Sequence, residues 1–588
     1  MILSDMHRVA ALLVVFTCLF TLAVPASAQD NQTTQVLPDI APRVVEIRGN
    51  LELSLPSLQR QPLVGFNPPP RVAPIPPDRH PYVEEYKQES IDLPPSPLEA
   101  PQPPPVASLI GGTPLRGSLE AAGGRYLSRS VRFRSEWSAT DAAAIYSRLD
   151  YEGAQGHEPD GVLDEVTASS DALDALVGLQ TMNRWVTVGF ELDGFMNAYR
   201  LFGAQPASGY GELRDDPPYR DGRGGGARLW MVTQAATGSD IDLSVRYGVA
   251  SYETDALRSE STASDEPFLR SETALEVDGG LIAQLSDLQD VLGDVHFTGL
   301  GFDDETVGSN VRILDAAGGL KVGSGQRFQV SGLARIMTFA AGDSASGFYA
   351  SPDFLVSYSP ANELRVYLQN DPRAEHRSTA SMYRESPFLL DEPAVQPTIY
   401  TVDARAGTRI QAGVFEADLH AGLSRAPNFR YFERAAAAES HGFARGLVAA
   451  DYEDAEIRYA GGDLSVVLPA GLVVSAGMTV RDGMLTDEEE EIPYFGSVLA
   501  RGSLSYSFLD GRGFVRTTST FESSREVDTE GSRRLGDYFD LDVDASYGLT
   551  ESLAALLRLR NLSDGYLERW EYHEQSPFIV SVGFRAQW

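Results

Sequence analysis

The chain is poor in the residues from which most catalytic and metal sites are made. Its 588 residues hold one cysteine and eight histidines. Cys18 lies inside an apolar run near the start, so the rest of the chain can form neither a disulfide nor a thiolate metal site. The histidines show no paired ligand spacing, and no glycine-flanked serine elbow accompanies them. Basic residues are also scarce. Forty-eight Lys and Arg face 83 Asp and Glu, a net charge of −35 at pH 7. Phosphate backbones demand the opposite balance, so a nucleic-acid partner is excluded. After residue 24 no stretch approaches about 18 consecutive apolar residues, so no transmembrane helix is expected there.

What is present begins with an export signal. Residues 9–24 are nearly all apolar and follow Arg8; Pro25-Ala26-Ser27-Ala28 comes next. A short basic start, an apolar stretch and a small-x-small site predict a signal peptide over 1–28. The run is shorter than the roughly 20 residues that a membrane-spanning helix needs. Residues 29–115 differ again. They carry about half of the 35 prolines, in runs such as Pro68-Pro69-Pro70 and Pro101-Gln102-Pro103-Pro104-Pro105. Proline fixes φ and removes a donor, so an extended, semi-rigid periplasmic or lumenal segment is expected. Within it Arg43-Val44-Val45-Glu46-Ile47-Arg48 could make a short strand.

From residue 116 onward the pattern alternates. Ile241, Leu243, Val245 and Tyr247 are interleaved with Asp242, Ser244 and Arg246; Phe539, Leu541 and Val543 with Asp540, Asp542 and Asp544. Side chains alternate across a strand, so each segment has a greasy and a polar face. Links near 359–362, 469–471, 509–513 and 549–552 are short. Those near 372–397, 422–454, 483–494, 524–535 and 563–574 are long, and the two kinds alternate. That asymmetry belongs to membrane barrels with short periplasmic turns and long outer loops. The expected fold class is therefore all-β: a large transmembrane antiparallel β-barrel of about 22 strands over 116–588, preceded by the proline-rich segment. Its expected place is the outer membrane of a Gram-negative cell, in lipid and lipopolysaccharide, with the N- and C-termini in the periplasm. The acidic bias fits solvated loops and a polar lumen, a cation-attracting mouth, or an organism rich in acidic proteins.

The last segment puts Phe578, Val580, Val582, Phe584, Ala586 and Trp588 on one face. It resembles the terminal signal read by the barrel-assembly machinery. The preceding residues resemble the end of TonB-dependent receptors: a Phe539-Asp540-Leu541-Asp542 strand, a tight turn, then Asn561, Leu562, Asp564 and Tyr566 in an Asn-Leu-x-Asp-x-Tyr pattern. In that pattern Gly565 would relax the turn, and Tyr566 and Trp570 would anchor at the membrane interface. The resemblance implies a 22-stranded barrel and a solute receptor. It also implies an N-terminal plug, for which the short proline-rich segment is unsuited. Thr33, Thr34, Val36 and Leu37 form a weak candidate for the box that contacts TonB. Implied partners are TonB or a separate plug-like or lipoprotein chain.

Three readings of function remain on these residues. The first is transport or binding of a solute through a barrel without a standard plug, its lumen blocked by the N-terminal arm, by inward-folded loops or by a partner. Substrate would meet the loops near 372–397 and 422–454. The second is a non-transporting scaffold that docks a protein partner through its loops or its proline-rich arm. The third, an outer-membrane hydrolase, has no convergent Ser, His and carboxylate behind it. No catalytic residue, cofactor or metal site is expected. The acidic stretches around His157 and over Asp487-Glu488-Glu489-Glu490-Glu491 read as solvated loops, and Gly222-Arg223-Gly224-Gly225-Gly226 lacks the strand-to-helix setting of a phosphate cradle.

Overall fold

A computed structural model describes residues 116–588, except 141, 160–166, 204, 207–217, 234–238, 256–266, 304–309, 324–326, 343–344, 391–394, 436–442, 469–470, 488, 564 and 566. The signal peptide, the proline-rich segment and the TonB-box candidate (Thr33, Thr34, Val36, Leu37) lie outside the described residues, as do Asp564 and Tyr566.

Twenty-two antiparallel strands pair in chain order, and the first, Gly117–Gly124, pairs with the last, Ile579–Gln587. The sheet therefore has no free edge. Closure satisfies every ladder without water, which is what a bilayer requires of a β structure. One end carries only short links, such as 287–288, 362–363 and 413–414, while the other carries 371–401, 523–537 and 561–578. Gly413, with φ of 60°, and Gly471, with φ of 78°, sit in two of the tight turns, in a backbone region that disfavours side chains.

The outer surface is apolar. In the strand Ser239–Thr254, Ile241, Leu243, Val245, Tyr247 and Val249 are all exposed, while Ser244 is buried and donates to Asp278 at 2.8 Å. The same alternation continues around the ring through Leu275, Leu320, Ile336, Phe348, Leu419, Met478 and Leu504. Such a belt suits hydrocarbon on the outside and a polar lumen within. Inside, the acidic excess is met by arginine. Arg335 contacts Asp294, Asp315 and Asp353 at 2.8–3.0 Å, and Arg246 contacts Asp193 at 2.9 Å. Across the closing seam, Glu120 binds Arg558 at 2.6 Å and Arg585 at 2.5 Å.

Two long links differ from expectation. The region 422–454 is mostly strand: Phe415–Arg434 and Val448–Leu468 continue far past the ~10 residues that cross a bilayer, leaving only 435–447 as a link. Asn428 (φ 67°) marks an irregularity that breaks the alternation without ending the ladder, which resumes at Phe429 opposite Glu453. Likewise Glu490–Glu491 pairs back on Met484 and Leu485 rather than forming a free acidic loop.

Candidate functional site

The strand Leu364–Asn370 ends where the chain turns inward instead of outward. Arg373 binds Asp403 at 2.5 Å, and the Ala374 N–H donates to the buried carboxylate of Asp315 at 2.9 Å. His376 then lies 3.5 Å from Glu276 and stacks on His296, which is hydrogen-bonded to Asp278. A short helix follows, Thr379–Glu385. Ser378 caps it by accepting from the Ser381 N–H at 3.2 Å, and the Thr379 N–H donates to Glu272 at 2.6 Å. Met382 and Tyr383 are fully buried. The Tyr383 ring meets Tyr252 at 4.5 Å and the Arg220 guanidinium at 4.4 Å; Arg220 donates to the Pro387 carbonyl at 2.8 Å. Beyond the helix, Phe388 and Leu390 exchange backbone hydrogen bonds with Val448 at 3.0 and 2.9 Å.

These anchors lie far apart on the wall. Tyr252 belongs to the seventh strand in chain order and Val448 to the sixteenth, in a ring of 22. A segment tied to both crosses the lumen. Room for it comes from Gly222 and Gly224 in the strand Tyr219–Thr233: a side chain at either would collide with the Tyr252 or Phe195 ring that supports the helix. The glycine run thus serves packing.

Above this crossing the long links interlock. His573 stacks on Phe388 with ring centroids 3.2 Å apart, and Phe202 meets both rings edge-on at 5.1 and 5.7 Å. His573 Nε2 donates to the Gly446 carbonyl at 2.7 Å. Burial holds its imidazole down to about 3, and the bond to Gly446 only partly offsets that. Glu571, also buried, joins Arg434 at 2.5 Å and Arg533 at 3.0 Å. His157, expected in a solvated loop, is buried against Phe202.

Beside the crossing segment lies a cavity of about 580 Å³. Arg377, Arg430, Arg481, Arg525 and Arg569 line it, with Glu375, Glu385 and Glu522. Its aromatic lining includes Tyr400, Phe432, Tyr494, Phe495 and Trp570. Arg430 binds Glu385 at 2.7 Å and Arg525 binds Glu522 at 2.5 Å. Arg481 lies over the Phe495 ring at 3.7 Å and donates to the Gly496 carbonyl at 2.8 Å. The Tyr494 phenol is pushed well up by burial and by the Glu571 charge.

The residues singled out from sequence fall elsewhere. Val582, Phe584 and Trp588 are exposed on the apolar face of the closing strand, with Val580 half-buried in the same alternation and Phe578 just before the strand. Trp588 also belongs to the seam: its ring covers Gly117, where a Cβ would lie 2.6 Å from it, and its carbonyl accepts from Arg116 and Gly117 at 2.7 and 3.0 Å. Asn561 is buried; its side-chain oxygen accepts from Ser563 Oγ at 2.9 Å and its side-chain nitrogen donates to the Ser576 carbonyl at 3.1 Å. Leu562 donates its N–H to Leu541 at 2.8 Å. Two details are corrected. Asn561 (φ 48°), not Gly565, takes the left-handed turn. Trp570 is not an interface anchor; it is buried at the mouth against Phe432 at 5.3 Å and Tyr494 at 4.9 Å, because the link 561–578 folds back over the barrel. The cavity arginines carried no sequence signal. They come from strands and links far apart in the chain and share no motif, although two of the walls lie in the loop regions expected to meet substrate.

No protein-family model and no curated protein matches the sequence. Solved structures do match in fold. The FrpB iron transporter from Neisseria meningitidis superposes with a TM-score of 0.63 at 10% identity, over 82% of each chain. A mutant of the ferric enterobactin receptor PfeA from Pseudomonas aeruginosa, in complex with enterobactin, gives 0.61 at 12% identity, over 80% of this chain and 81% of that one. The copper transporter OprC gives 0.61 at 11%, with the same coverage. By its closed ring of 22 strands and these likenesses, the chain carries a barrel with the fold of TonB-dependent receptors.

Proposed function

We propose that the protein is an outer-membrane receptor that binds a solute at its outer mouth and passes it through a barrel barred by its own loop 371–401 instead of a standard plug. The observation that carries this reading is the loop's attachment to nearly opposite sides of the wall, at Tyr252 and at Val448. An open barrel of this girth would leave a wide water channel, which a cell tolerates poorly. The loop supplies a barrier that could move, since many of its ties are hydrogen bonds and ion pairs to the wall. Binding and passage, not catalysis, is the activity we assign. In this reading the signal peptide ends at 28, residues 29–115 serve in the periplasm or lumen, and the short links and both termini face the periplasm. Lipopolysaccharide surrounds the outer rim, the assembly machinery inserts the barrel, and TonB or a plug-like partner drives or gates transport.

Planar-bilayer conductance tests the barrier. The full chain is expected to conduct weakly, and deletion of 376–397 to give large, stable steps. A permanently open full-length pore, or no change on that deletion, would sink the reading. Deletion of 29–110 separates the arm's contribution: unchanged conductance assigns the barrier to the loop alone.

A further inference from the structure

We propose that the mouth cavity binds a small anionic aromatic solute, one that offers carboxylate-like oxygens on a flat ring. The proposal rests on reading the protein as a solute-binding barrel and names the class of its ligand.

Size comes first. About 580 Å³ lies within the roughly 300–1,000 Å³ of small-molecule sites, so a compact ligand fits and a polymer does not. Charge comes second. Five guanidiniums line the cavity against three carboxylates. Glu375 is engaged by Arg373 at 2.8 Å, Glu385 by Arg430 and Glu522 by Arg525. Arg481 stands 3.7 Å from the already engaged Glu522. Arg377 and Arg569 have no acidic partner among the described residues. In a chain with a net charge of −35, this is a local surplus of positive charge.

Selectivity against a cation comes third. A cation would meet the guanidinium surplus, and the carboxylates it needs are already taken.

The walls choose the ligand's shape. Arg481 lies over the Phe495 ring at 3.7 Å and Arg430 over the Phe432 ring at 4.6 Å. Trp570 meets Phe432 and Tyr494 within about 5 Å. Guanidinium planes recognise carboxylates through paired donors, while aromatic faces hold a ring in offset or edge contact. A flat ring bearing acidic groups satisfies both surfaces at once.

Full-length protein in detergent, titrated with terephthalate, tests the assignment by calorimetry and by tryptophan fluorescence. Terephthalamide keeps the ring without the charge; adipate keeps two carboxylates without the ring. Saturable terephthalate binding, at least about tenfold tighter than either, is expected. Arg481→Gln and Arg569→Gln should each weaken it about tenfold. Arg569 is exposed, so its variant should fold even if a buried arginine cannot be replaced. Equal binding of terephthalamide, equal binding of adipate, or no saturable binding would overturn the proposal. Conductance is independent of this result: binding without a loop-dependent barrier would remove the transport reading and keep the ligand class, and the reverse pair of results would do the opposite.

Discussion

His573 is a neutral imidazole wedged between phenylalanines, with Nδ1 buried and unpartnered among the described residues. Protonation would place a charge there with nothing to receive it. Its folded-state value of about 3 lies below the ordinary 6.5, so the unfolded segment takes up the proton first as pH falls. The contribution of this contact is therefore complete above pH 6.5 and declines from there towards pH 3, by up to about 1.4 kcal/mol per pH unit. The protection factors of amides in residues 567–578, that is, exchange rates corrected for their intrinsic pH dependence, should fall on acidification from pH 7 to 5, and His573→Phe should flatten that dependence. An unchanged pH response in the variant would assign the effect to other groups. Nothing in the sequence around His573 announces this role. Phe202, Phe388 and Gly446 come from three other links, and a contact between links has no local period.

At the scale of elements, the strands were the legible part. Alternation such as Ile241 to Tyr247 needs only a lipid face and a lumen face, and both leave their mark on every second residue. The strands 415–434 and 448–468 were partly hidden because the irregularity at Asn428 shifts the pattern midway. The inward course of 371–401 was harder to read. Its direction is set by Asp315, Glu272 and Val448, all distant in sequence, and a loop's own composition does not say whether it turns into the lumen or away. The sequence allows inward-folded loops as a barrier, but the glycines that make room for this one read only as a run without a phosphate-binding context. Gly224→Val should expose that role. Its side chain would collide with the Phe195 ring and approach the Val249 carbonyl, where even a Cβ would lie at 2.6 Å. Overpacking of this kind costs about 1–3 kcal/mol. Limited proteolysis should then cut within 376–390 while the barrel keeps its heat-dependent shift on gels. Protection equal to that of the parent would show that the shelf beneath the helix is not needed.

For the whole molecule, the informative balance is between a strongly acidic chain and a lumen threaded with arginine. Arg335 alone faces three aspartates, and Glu120 holds two arginines across the seam. The overall charge thus said little about the mouth, where guanidiniums outnumber carboxylates. The closing strand makes a further claim at this scale. The combined substitutions Phe584→Ala and Trp588→Ala remove exposed apolar surface at the terminal face, and Trp588 also loses its cover over Gly117. Assembly in whole cells, followed by heat-modifiable mobility, should fall several-fold; normal insertion of the double variant would remove both the signal and the seam role.

The seam joins residues at opposite ends of the barrel's sequence. Ser128 meets Ser581, 453 positions away, and Glu120 meets Arg585, 465 positions away. Contacts of such long separation are late and slow to form. Until the final strand arrives, Gly117–Gly124 offers an open ladder to any passing chain, the condition under which edge strands aggregate. Biogenesis of this protein is therefore a timing problem. Its first strand must be kept from other partners throughout the time needed to deliver its last.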